Sequence, residues 1–413
     1  MTRPRRRPSA GGGPPAPLDG VRVLDLTRNL AGPLCTMLLA DYGAEVIKVE
    51  HPARGDEMRR WKSHSWPLAS PAFLAVNRSK RSLAVDLDRP DGAAIVRALA
   101  VGADVLVENF RCGSLDRRGL GPDELCRLNP KLVYASITGF GSVGSLRDRP
   151  GYDPIMQAYA GIISVTGDAG GPPVRVAQSI IDIAAGSWCA MAIMAGLMRR
   201  TITGVGGRVE TSLLEAAVAL SGMQVAMFAA TGQIPQRMGS QHAISAPNEA
   251  FATAEGHLFI ATPNENHFRR LCAVLGCSEL ADDKRFRSNA DRIANRSDLH
   301  TLLEARLMQR SASEWEVVLT EAEVPASRVR SIDEVVADPQ LAALGLLLQL
   351  HCQQGEEERE VTVVDLPVTL DGVRSVRPTA PPGVGEDTDK LLETLLGYDG
   401  DAISRLRAQG VIA

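Results

Sequence analysis

Apolar and polar positions fall into blocks along the first third of the chain, and the period of the blocks changes as they follow one another. VRVLDLT (21–27) is a nearly continuous apolar run, as expected of a strand covered on both faces. AGPLCTMLLADYG (31–43) then reads as a helix, with Pro33 tolerated in its first turn and Gly43 as terminator. EVIKVEH (45–51) returns to a strand and closes one strand–helix–strand unit. The alternation continues through LAVDL (83–87), the helical GAAIVRALAVGA (92–103), the strand DVLVENF (104–110), a helix near 121–128 and the strand LVYASITGF (132–140). This order predicts a parallel, doubly wound α/β sheet, with a ligand site in the crevice beyond the carboxyl ends of its strands. Arg28, Asn29, His51, Asn109, Phe110 and the loop GFGSVGSLRDRPGYD follow those ends.

One later block is apolar yet carries a charge. SIIDIAAGSWCAMAIMAGLM (179–198) follows a Gly/Pro-rich stretch and holds Asp182 near its start. A buried carboxylate costs several kcal/mol of desolvation unless it is paired, hydrogen-bonded or used. Two compatible readings follow: Asp182 caps a helix, where the dipole keeps it ionised, or it is a reactive group. A membrane span is set aside, because the run from Ile183 to Met198, before Arg199 and Arg200, falls short of the ~20 apolar residues a span requires. The chain is therefore expected to be soluble, with no membrane partner.

Composition narrows the classes further. A chain of 413 residues exceeds one ordinary core and points to two or three domains. A formal net charge of −4 and 4% aromatic residues provide neither the basic patch nor the stacking platform of a nucleic-acid binder. The seven cysteines are scattered and lack CxxC spacing, which argues against a disulfide framework and against zinc and suits a reducing cytoplasm. Residues 1–16 are basic and Pro/Gly-rich and read as a disordered tail, with a short organellar transit peptide as the alternative. The first strand runs into TRNLAGP rather than a GxGxxG loop, so this Rossmann-like arrangement lacks the main support for NAD. GFGSVG (139–144) is either a flexible turn or a ligand-binding loop.

Taken in order, LDGVRVLDLTRNLAGP, GAEVIKVEHPARGD, NRSKRSLAVDL, ADVLVENFRCGSLDRRGLG, ITGFGSVG followed by RPGYD, and TGDAGGPPVRV with Asp182 resemble the class III coenzyme A transferases. The resemblance implies that Asp182 is the nucleophile, forming mixed anhydrides and an aspartyl-CoA thioester. It places coenzyme contacts on Arg28, Asn29, Leu30, Ala31, Asn109, Phe110, Arg117, Arg118 and Tyr152, leaves the role of His51 open, and requires neither metal nor tightly bound cofactor. Small residues near the nucleophile, Gly170, Gly171, Ala184, Ala185 and Gly186, would let a bulky thioester approach.

The same resemblance implies a large coenzyme-binding α/β domain over 17–225, completed by 360–413, a smaller α+β domain over 226–359, and an interlocked homodimer. It departs at Asp387, where the family usually has His. The substrates would be an acyl-CoA, such as succinyl-CoA, and a small carboxylic acid. RMGSQHAISAPNEAF (237–251) is similar to members that use dicarboxylates such as glutarate, and the oxalate enzymes' long glycine-rich flap is missing. Arg175, Arg237, Arg328 and Arg330 are the candidate anchors for the acceptor's second carboxylate. Two alternatives remain. A 2-methylacyl-CoA racemase would need a His where this chain has Tyr152, and a non-catalytic CoA-binding protein would not need Asp182.

Overall fold

The computed structural model describes residues 15–62, 66–376 and 378–413. All but the last two residues of the expected tail lie outside that range.

Six strands form one parallel sheet: β1 (Arg22–Asp25), β2 (Glu45–Glu50), β3 (Lys80–Ala84), β4 (Val105–Glu108), β5 (Val133–Thr138) and β6 (Gly207–Ser212). Their spatial order is β3-β2-β1-β4-β5-β6. Strand order reverses between β1 and β4, the topological switch point at which a doubly wound sheet leaves a crevice at its carboxyl edge. Helices α1 (Ala31–Asp41), α2 (Pro71–Val76), α3 (Pro90–Val101) and α4 (Pro122–Leu128) fill the connections. Parallel strands buried on both faces explain the apolar runs: Leu24, Ile47, Leu83 and Leu106 are fully buried in one core.

Two strands depart from the sequence expectation for the same reason, polar residues in unusual places. β3 begins at Lys80 rather than Leu83, because Lys80 is neutralised inside by Asp25 at 2.9 Å and Arg81 by Glu45 at 3.2 Å and Asp387 at 3.1 Å. β6 carries Arg208 and Glu210 on the exposed side of an edge strand, so its apolar signal is weak.

The chain divides into two compact units, one comprising residues up to 160, 177–225 and 342–413, the other 161–176 and 226–341. These limits differ from the expected smaller domain of 226–359. The hairpin of β10 (Leu347–Gln354) and β11 (Glu357–Val364), which lies beyond the second unit's sheet in sequence, returns to the first unit. Leu350, Cys352, Val361 and Val363 alternate along it and pack in one cluster with Met37 and Phe73. Short helix α6 (Ile162–Val165) goes with the second unit. That unit also has an antiparallel sheet of β7 (Asn248–Ala252), β8 (His257–Ala261) and β9 (Ala326–Arg328). Phe251, Ile260, Phe268 and Trp315 lie in its core.

Helix α5 (Asp153–Tyr159) precedes the long helix α7 (Ile180–Thr203), and α8 (Leu213–Leu220) follows β6. α7 has 24 residues and, by length and composition alone, could cross a membrane, which the expectation of a shorter run had excluded. Its buried positions, Ile181, Ala185, Cys189, Ile193 and Leu197, recur every four residues and face the unit's interior. A Cβ on Gly186 would stand 2.4 Å from the Ala31 carbonyl oxygen, so a glycine is needed where α7 meets the start of α1.

Candidate active site

The turn leaving β1 is anchored residue by residue. The Arg28 backbone amide donates to Asn109 Oδ1 at 3.0 Å, and Asn109 Nδ2 returns a bond to the Arg28 carbonyl at 2.8 Å. These reciprocal bonds tie the loops after β1 and β4 together. The Arg28 guanidinium lies 4.9 Å from the Phe110 ring centroid, a cation–π distance. The Phe110 amide donates to Glu108 Oε2 at 2.7 Å, and burial pushes the Glu108 carboxyl up to about 6.

A cavity of about 610 Å³, within the range of small-molecule sites, opens over these loops. Its wall brings together Arg28, Asn29, Leu30 and Ala31 after β1 and Asn109 and Phe110 after β4. Tyr152, just before α5, and Asp182, in the first turn of α7, complete that group. A second cavity of about 200 Å³ shares Arg28 and Phe110 and adds His51, Arg54 and Arg118. Arg118 is held there by Asp88 and by the Ser114 carbonyl at 2.8 Å. Arg117 lines neither cavity, because successive side chains of the tight Asp116–Arg118 turn diverge and only Arg118 points inward. His51 Nδ1 accepts the Ala53 amide at 3.1 Å, so in the neutral ring the proton sits on Nε2.

Asp182 is not the helix cap. The cap comes from Asp153, 2% exposed, whose Oδ2 accepts the backbone amides of Ile181 at 2.8 Å and Asp182 at 3.4 Å. Its Oδ1 accepts from Gln157 at 2.6 Å. Among the described residues no hydrogen bond reaches the Asp182 carboxylate itself. Burial, and then the neighbouring Asp153 charge, push the Asp182 carboxyl up to about 7. The expectation that the helix N-terminus keeps Asp182 ionised therefore fails in part: the favourable dipole is outweighed by desolvation and a like charge. The result is a basic, poorly solvated carboxylate on a cavity wall.

Arg147, Arg149, Glu57, Trp61 and Asp153 also line this cavity and were not among the expected site residues. The signal for Arg147 and Arg149 was their position in the loop after β5, which stood open between turn and binding loop. Arg149 stacks over Phe140 at 5.1 Å, and Gly139 packs against Gly151 so closely that a Cβ would meet its nitrogen at 2.7 Å. Asp153 was visible only as part of GYD. The small residues serve differently than expected. Gly186 and Ala185 pack inside the first unit, whereas Gly170 and Gly171 belong to the second.

Arg237, Arg328 and Arg330, three of the candidate acceptor anchors, bond to groups of their own second unit, which does not set them apart from Arg175. Arg237 donates to the Gly171 carbonyl at 2.9 Å, Arg328 pairs with Glu334 at 2.5 Å, and Arg330 pairs with Glu316 at 3.4 Å and with Asp338. Arg175 is exposed.

A doubly wound parallel sheet with a carboxylate and anchored cations at its switch point is an architecture built to take a small-molecule ligand in the crevice. A profile of the family described as CoA-transferase family III matches residues 18–388, and the chain belongs to that family. It is accordingly a CoA-transferase. It is 37% identical to the succinyl-CoA:glutarate CoA-transferase of Mus musculus over 96% of this chain and 90% of that protein. It is 38% identical to the acetyl-CoA:oxalate CoA-transferase of Acetobacter aceti, covering 81% of this chain and 86% of that one. A solved CAIB/BAIF family protein from Brucella suis superposes with a TM-score of 0.83 at 34% identity, covering 92% of this chain and 99% of that one.

Proposed function

We propose that the protein moves coenzyme A from an acyl-CoA to a free dicarboxylic acid through a covalent aspartyl-CoA thioester on Asp182. The observation that carries this reading is a carboxylate raised toward neutrality on the wall of a cavity lined by anchored cations. An Asp182 oxygen attacks the thioester carbonyl carbon, the carbon–sulfur bond breaks, and CoA thiolate leaves a mixed anhydride. The thiolate then attacks the Asp182 carbonyl and releases the donor acid, leaving the aspartyl thioester. The acceptor carboxylate repeats the sequence in reverse. No proton, electron or phosphate is consumed overall, so no metal or tightly bound cofactor enters the scheme. The cavity must hold water off both anhydrides.

Arg28 and Arg118, bridged by the shared wall of the two cavities, are the proposed phosphate contacts, with Asn29, Leu30, Ala31, Asn109, Phe110 and Tyr152 lining the acyl and pantetheine path. Succinyl-CoA and a five-carbon dicarboxylate are the proposed pair, supported by the name of the mouse relative. Met191, Met198 and Ile202 stand 52%, 69% and 86% exposed on the open face of α7. Such an apolar face suits a second copy in a homodimer rather than a lipid bilayer. The proposed compartment is the cytoplasm, in keeping with cysteines that are all free.

The test is a panel of free acids, glutarate and oxalate included, offered with succinyl-CoA or acetyl-CoA, with new acyl-CoA read by mass spectrometry. Exchange to glutarate is expected. In deuterated water a 2-methylacyl-CoA should keep its α-proton; rapid α-deuteration without CoA exchange would instead establish a racemase.

A further inference from the structure

Beneath the loop that carries Arg28 and Asn29 lies a set of buried charges that the chemistry above does not use. Asp25 Oδ1 accepts the Thr27 amide at 2.9 Å. Lys48 Nζ donates to the Thr27 carbonyl at 2.9 Å and pairs with Asp56 Oδ2 at 2.9 Å. Asp56 Oδ1 in turn accepts the amides of Met58 at 3.0 Å and Asn29 at 3.3 Å. Lys48 and Asp56 thus grip the loop on both sides of Arg28, which Asn109 holds independently.

Asn29 is the residue that needs this grip. It sits at a φ of 64°, a left-handed conformation that residues with a side chain seldom adopt and that Asn tolerates best. Its amide has one anchor, Asp56, and it shares the cavity wall with Asp182. A buried ion pair is a poor stabiliser, since apolar residues of similar volume often serve as well. Two other buried pairs tie distant segments together: Arg59, paired with Glu50, also bonds the Pro382 carbonyl, and Arg78, paired with Asp41, bonds that of Val364. The Lys48–Asp56 pair instead ends on the β1 loop, and Asp56 reaches the Asn29 amide.

We infer that Lys48 and Asp56 are positioning residues for the thioester-forming step: by fixing the Thr27 carbonyl and the Asn29 amide they hold Asn29 in the left-handed turn that shapes the wall shared with Asp182. This rests on the Asp182 reading above. Coenzyme affinity should depend little on the pair, because Arg28 keeps both Asn109 bonds and its Phe110 contact without it. Displacement of a site wall by about 1 Å can cost roughly 100-fold in rate.

Asp56→Asn and Asp56→Ala remove the same charge, but only Asn retains an acceptor for the Asn29 amide. Rapid-quench formation of aspartyl-CoA from succinyl-CoA, CoA affinity by calorimetry and thermal melting are measured on the full chain for both variants and for Lys48→Met. Asp56→Ala and Lys48→Met should lose at least about tenfold in single-turnover rate with CoA affinity within about threefold of wild type, and Asp56→Asn should stay within about threefold in rate. Equal slowing of the Asn and Ala variants, or a loss confined to CoA affinity, would overturn the positioning role. If Asp56→Ala does not fold, a Lys48→Met rate equal to wild type would overturn it as well. Absence of any adduct on the wild-type protein would refute the Asp182 reading instead, and exchange rates of the same variants would still decide the role of the pair.

Discussion

Asp25 and Asp182 are carboxylates of the same unit, each withdrawn from water, and the protein treats them in opposite ways. Burial drives Asp25 up, but the charges of Lys80 and Lys48 and the hydroxyls of Thr27 and Thr36 outweigh it and bring its carboxyl down to about 2. At Asp182 burial meets no compensation, and Asp153 adds to it, so the carboxyl rises to about 7. The first environment suits a scaffold, and the second suits the nucleophile proposed at Asp182. What separates them is the partners: four groups converge on Asp25, whereas the amides that a carboxylate at the head of α7 could have taken are given to Asp153.

The largest effect expected from breaking this contrast is on chemistry. Asp182→Ala should cut CoA exchange by more than about 1,000-fold while leaving CoA affinity near wild type and the melting temperature no lower, because the Asp153 cap survives. Residual exchange within tenfold of wild type would contradict the assignment. Next is stability at the other carboxylate. Asp25→Ala leaves Lys80, 0% exposed in its side chain, facing only neutral acceptors, and should cost about 3–5 kcal/mol in urea unfolding at pH 7.5.

The sign reverses at Asp182. A folded-state carboxyl raised above its unfolded value near 3.8 contributes stability below about pH 4 that is lost as pH climbs through about 7. Asp182→Asn should therefore be more stable than wild type by about 1–3 kcal/mol at pH 8, with the gap narrowing as pH falls through 7 and closing only near pH 4. A gap that widens toward acid would show that Asp182 is stabilised as an anion. The smallest effect belongs to the neighbour. The single-turnover rate should rise with pH through about 7, and Asp153→Asn, which removes the like charge, should move that limb down by roughly one unit. An unmoved limb would assign the shift to burial alone.

The same contrast explains what could be read from the chain itself. Strands such as Val105–Glu108 and Val133–Thr138 announce themselves because burial on both faces demands continuous apolar side chains. β3 was misplaced by three residues because its buried Lys80 looks like surface until its partner Asp25, 55 positions away, is known. Asp182 was legible as a costly charge in an apolar run. Its state was not, since the uncompensated burial depends on Asp153 taking the amides, a contact between α5 and α7. Most of the cavity wall was legible, by resemblance, around the loops after β1 and β4. Arg117 was not separable from Arg118 without the geometry of their turn, and Arg147 and Arg149 were hidden in a loop with no periodicity. The expected boundary at 359/360 cut through β11 and left β10 with the smaller domain, because the hairpin's attachment to Met37 and Phe73 spans some 300 residues.

The central claim, that Asp182 is held reactive rather than satisfied, is tested most directly by trapping. The wild-type protein is incubated with succinyl-CoA and no acceptor, quenched in acid and digested, and its peptides are weighed. The account predicts CoA attached to the peptide that contains Asp182, in a linkage cleaved by hydroxylamine, and missing from Asp182→Ala. A CoA label found only on a cysteine such as Cys112, which lines the same cavity, or no hydroxylamine-sensitive adduct at all under turnover conditions, would contradict it.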